Sequence, residues 1–150
     1  MTRTLLVSAL LLASLGSALA APPDDASLAR YRRASACVAV MKQDATALAE
    51  RYRAGATAVR PEVVRLTELG FTFIGTAYKA GLRNPQADQL LDEAEQAQQS
   101  QPASALKQLS ADCQAEGAKL LRDSNALERA LVSNRARSRV DKLLAPAKAP

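Results

Sequence analysis

Residues 26–54 read ASLARYRRASACVAVMKQDATALAERYRA. Within this stretch Leu28, Tyr31, Ser35, Val38, Met41, Ala45, Leu48 and Tyr52 advance by threes and fours, which is one face of an α-helix. Asp24 and Asp25 precede it, where a helix N-terminus takes a side-chain cap and negative charge. Gly55 follows it and offers a C-terminal stop. A long first helix over 26–54 is therefore expected, and it sets the fold class.

The same pattern continues downstream. Pro61 suits the first position of a second helix, with Glu62 in its first turn. Val63, Leu66, Phe73 and Ala77 share one side, and Val64, Phe71, Ile74 and Tyr78 widen the stripe. Gly70 and Gly75 lie inside this helix. Each costs about 1 kcal/mol relative to Ala there, which predicts a bend or a close helix–helix contact. The run Phe71-Thr72-Phe73-Ile74 also has strand character, but a lone strand has no partner. Gly81 closes the element.

Asn84-Pro85 has the form of a cap followed by Pro at the first helical position. The third helix should run to Gln99 and bury Ala87, Leu90, Leu91 and Ala94. Ser100-Gln101-Pro102 ends it and restarts the chain. A fourth helix over 103–122 carries Leu106, Leu109, Cys113, Gly117 and Leu120. Asp123-Ser124-Asn125 then caps a fifth, basic helix over 126–144, followed by a proline-containing tail.

Composition agrees with an all-α fold. Ala, Leu, Gln, Glu, Arg and Lys dominate, and they are strong helix formers. Aromatic residues are few, and Trp is absent. The expected architecture is a disulfide-stapled antiparallel bundle of four main helices plus a basic C-terminal helix. Short connections favour antiparallel neighbours. In an up-down-up-down order the first and fourth helices are adjacent, and Cys37 and Cys113 fall near the middle of each. The two cysteines are the only ones in the chain. A structural bridge between them is favoured over a metal or redox site, because there is no CxxC and no histidine.

The first twenty residues have a different character. Arg3 precedes an apolar run from Leu5 to Leu15, and Ala18-Leu19-Ala20 gives the small-x-small pattern of a signal-peptidase site. The run is about half of the ~20 residues needed to span a bilayer. The reading is a cleaved signal peptide over 1–20, a helical bundle domain over 21–125, and a basic amphipathic helix with a frayed tail over 126–150. The location expected is periplasmic or secreted, with no transmembrane segment after cleavage.

Charge is unevenly distributed. The chain carries a formal +5. From Arg122 onward seven basic residues face three acids, so the net +4 of the mature chain resides in that segment. On a helical wheel Val132, Ala136, Val140 and Leu143 form a narrow apolar arc. Arg135, Arg139 and Lys142 line one edge, and Arg137 lies near the other. Basic residues flanking an apolar stripe suit an anionic lipid or lipopolysaccharide surface. The bland reading is that the stripe packs on the bundle and the arginines solvate it. Nucleic acid is not the expected partner, since no aromatics interleave for stacking.

Several chemistries are excluded or disfavoured. The absence of histidine removes the commonest general base and metal ligand, and with them Ser-His-Asp and Cys-His catalysis. No GxxxxGK or GxGxxG is present. Asp88, Asp92 and Glu95 share a helix face, but a straight helix lacks the loop carbonyls that calcium sites add. Arg30, Arg32 and Arg33 surround Tyr31 and read as a polar flank beside an anchored ring. No catalytic residue, metal site or cofactor is therefore assigned. The leading expectation is a non-enzymatic interaction module of the bacterial envelope with a protein partner: an inhibitor, immunity-type protein, chaperone or adaptor. The alternative is electrostatic association with an anionic envelope surface through Arg135, Arg137, Arg139 and Lys142. A small histidine-free helical enzyme is the third reading, and it needs basic groups pointing inward from several helices.

Overall fold

Five helices follow one another in the computed structural model, which describes residues 23–145: α1 (Asp25–Arg53), α2 (Arg60–Lys79), α3 (Gln86–Gln99), α4 (Ala103–Asp123) and α5 (Ala126–Leu144). A 3₁₀ turn at Thr57–Val59 leads into α2. There is no strand among the described residues, so the 71–74 run is helical. The signal-peptide reading and the end of the tail lie outside the described residues.

Local chemistry explains the boundaries. Asp24 accepts a hydrogen bond from the Ser27 backbone N–H at 2.7 Å and caps α1. This bond holds the Asp24 carboxyl below its ordinary pKa. Gly55 and Gly81 follow α1 and α2 at φ +101° and +110°, a region that L side chains rarely adopt. The Ala56 and Leu82 N–H groups then reach back to the Arg51 and Ala77 carbonyls, at 3.0 Å in both cases. Asn125 and Glu128 form a reciprocal capping box at the start of α5. One expected cap is different. Asn84 does not cap α3, because its side chain accepts from the Tyr78 hydroxyl and α3 begins at Gln86 without a side-chain cap.

The register of cross-links gives the topology. Tyr31 donates its hydroxyl to the Ala80 carbonyl at 2.6 Å, and Met41 lies against Gly70, so α1 and α2 are antiparallel. Arg33 pairs with Glu116, Cys37 bonds to Cys113, and Ser110 donates to Asp44, so α1 and α4 are antiparallel as well. The bridge joins buried Cα atoms 5.3 Å apart. Arg60 pairs with Asp141 and Lys79 with Glu128, which makes α5 antiparallel to α2. α3 lies against α1, where Gln98 donates to the Ala36 carbonyl at 2.9 Å.

The main core joins Cys37, Val40, Met41 and Ala45 of α1 to Val63, Leu66, Leu69 and Phe73 of α2 and to Cys113 of α4. Val140 and Leu144 of α5 belong to the same cluster. A smaller cluster gathers Tyr31, Ala77, Leu82 and Leu90 where α3 meets α1 and α2. The glycines behave unequally. Gly70 is buried against α1, where an added Cβ would sit 3.8 Å from Met41 Cβ, an ordinary contact. A Cβ added at Gly117 would lie 3.0 Å from Phe73 Cε2, so α4 approaches α2 closely at that point. Gly75 departs from expectation: it is exposed, and no atom lies within 4 Å of a Cβ built on it.

Candidate functional site: the cationic edge of α5

α5 settles its own orientation by burial. Ala136 and Val140 are fully buried and Leu144 nearly so, while Val132 and Leu143 are partly covered. Its apolar stripe is therefore engaged by the bundle and does not offer a free insertion face. Arg135, Arg137, Arg139 and Lys142 are all exposed, and none is ion-paired among the described residues. At 100° per residue, Arg135, Arg139 and Lys142 occupy one edge of the helix. Arg137 is on the opposite flank, so the four do not form a single cluster.

Arg139 and Arg135 of this edge each border a hollow, one where α1, α2 and α5 meet and one between α2 and α5. One, of about 160 Å³, has Met41, Leu66, Gly70 and Leu143 among its walls, with Lys42 and Arg139 as its basic groups. The other, of about 560 Å³, lies between the C-terminal half of α2 and the N-terminal half of α5 and includes Gly75, Tyr78, Leu131 and Arg135. Phe71 and Ile74 line both. α5 thus packs tightly through its last turns and stands away from α2 near its start, where Leu127 and Leu131 are 70% and 52% exposed. The Lys79–Glu128 ion pair, 2.6 Å long, joins the two helices at that end. Lys79 and the Asn125 backbone hold the Glu128 carboxyl below its ordinary pKa.

A second polar feature crosses three helices. Arg65 forks onto Glu62 at 2.6 and 2.8 Å and also donates to Gln114. Gln114 donates to Ser110 at 3.0 Å, and Ser110 to Asp44 at 2.6 Å. The Arg65 fork lowers the Glu62 pKa, and Glu62 in turn raises that of Arg65. Sequence reasoning missed this chain of bonds. Only the Glu62–Arg65 spacing of three residues announces part of it. Every member binds another, so the chain ties α1, α2 and α4 together.

The other sequence candidates are accounted for. Tyr31 is buried and anchored, Arg33 pairs with Glu116, Arg30 donates to Ser27, and Arg32 is exposed. Glu95 pairs with Lys42 at 2.6 Å, and Asp88 and Asp92 are exposed. No helix among the described residues is long and apolar enough to cross a membrane. No protein-family model, curated protein or solved structure matches the chain.

Proposed function

We propose that this chain is an exported, non-enzymatic binding module of the bacterial envelope, and that it associates with anionic surfaces through the cationic edge of α5. The observation that carries the reading is the exposure of Arg135, Arg139 and Lys142 on a helix whose Ala136, Val140 and Leu144 are already buried. Unpaired cations grouped on one helix edge attract anionic partners at long range. The signal-peptide pattern and the buried disulfide support an oxidising compartment. Binding here is electrostatic contact through these cations.

The test is co-sedimentation of the disulfide-bonded protein with anionic and zwitterionic vesicles. Binding to the anionic vesicles alone is expected, and it should fade as salt shortens the screening length from ~10 Å at 0.1 M to ~3 Å at 1 M. Each basic residue near such a surface contributes about 1 kcal/mol. The triple variant Arg135→Gln, Arg139→Gln, Lys142→Gln should therefore bind on the order of a hundredfold more weakly. Unchanged binding by that variant would refute the proposal.

A further inference from the structure

We infer that the larger hollow between α2 and α5 is a binding groove for a single-chain anionic amphiphile, specifically a fatty-acid carboxylate; the inference rests on the α5 edge being the anion-attracting surface. Three observations converge. First, the groove volume of about 560 Å³ falls in the range of small-molecule sites, and its walls include Phe71, Ile74, Tyr78 and Leu131. Second, Gly75 keeps the groove open. A helix-interior glycine costs stability relative to Ala, and here no packing neighbour requires one. Any side chain at this position would enter the groove. Third, the charged groups are segregated. Lys79 and Glu128 neutralise each other at one end, whereas Arg135 has no ion partner among the described residues. Arg139 stands one helical turn beyond it and lines the adjoining hollow.

That layout matches an acyl chain lying along α2 with its carboxylate toward Arg135 and Arg139. From Phe71 to Lys79 the floor extends roughly 12 Å at the helical rise. A guanidinium forks onto a carboxylate with two parallel hydrogen bonds. The Lys79–Glu128 pair leaves no net charge at the far end, so the unpaired Arg135 sets the direction. A second copy of this chain is a poorer occupant, because a two-fold pairing of the same face brings the two cationic edges together.

The experiment is calorimetric titration of the full mature protein with dodecanoate below its micelle concentration, near pH ~8 where the carboxylate is ionised. Dodecyl maltoside serves as the uncharged control. Saturable binding of dodecanoate at one site per chain is expected, with none for the maltoside. Gly75→Leu should fill the groove and abolish binding while the helical circular dichroism is kept. Arg135→Gln with Arg139→Gln should weaken binding about tenfold or more. Equal binding of the maltoside, or full binding by Gly75→Leu, would overturn the inference. A wild-type dimer that Gly75→Leu dissociates would also overturn it, in favour of a second copy. Vesicle co-sedimentation of the same samples separates the two readings. If anionic vesicles bind and dodecanoate does not, the groove proposal falls and the surface reading stands. If Gly75→Leu loses dodecanoate but still pellets with anionic vesicles, the groove is a distinct site beside the cationic edge.

Discussion

Two glycines inside helices carry opposite consequences. At Gly75 a methyl group meets open space, so Gly75→Ala should raise stability by about 1 kcal/mol through helix propensity alone. At Gly117 the same change sets a methyl 3.0 Å from the Phe73 ring and 3.3 Å from Leu69 Cβ, within a packed contact. Overpacking costs roughly 1–3 kcal/mol, which exceeds the propensity gain. Gly117→Ala should therefore lower the urea midpoint while Gly75→Ala raises it. Equal shifts in the two would refute this reading of the α2–α4 contact. Both glycines are visible in the sequence, but helical spacing does not say which one has a neighbour across the interface.

α5 divides its labour between two faces. Val140 is fully buried in the main core, where α5 meets α1 and α2, and Val140→Ala should cost about 2 kcal/mol. The exposed arginines should behave in the opposite way. Neutralising Arg135 and Arg139 should change stability by no more than about 0.5 kcal/mol and yet weaken anionic-vesicle binding. Measuring denaturation and co-sedimentation on the same variants checks the separation. Loss of both properties from the arginine changes would mean that the edge is structural. The capping box adds a third handle: Asn125→Ala should cost about 1 kcal/mol and fray the N-terminal turn of α5. The cap, the helix and its two edges were all legible from residues 123–144. The coupling of the Arg135 and Arg139 edge to Phe71 and Ile74 was not, because the facing helix is more than fifty residues away in the chain.

For the whole molecule, one covalent link and a set of carboxylates set the response to conditions. The Cys37–Cys113 bridge closes a 76-residue separation, and the loop-entropy relation assigns it about 4 kcal/mol. Cys37→Ser with Cys113→Ser should lower the urea midpoint with a marked loss of that order. Acid should act through Asp24, Glu62 and Glu128, whose pKa values are all lowered in the fold. A lowered carboxylate pKa stabilises the fold above the unfolded value near ~4, and this contribution disappears as pH falls through the folded value. With no histidine in the chain, Tm should be flat between about pH 6 and 8 and decline below about pH 4. A transition centred near pH 6.5 would contradict this assignment.

What the sequence determined alone was periodic or local: five helices, their caps apart from Asn84, the cysteine pair, and the basic character of the last helix. These depend on residues within one or two turns of each other, and the amino-acid order states such spacings directly. The tertiary structure decided which faces meet. It buried the α5 stripe, joined Arg65 to Asp44 through Gln114 and Ser110, and left Gly75 over an open groove. Each outcome depends on how two helices distant in the chain approach and cross, and that depends on the volumes packed between them.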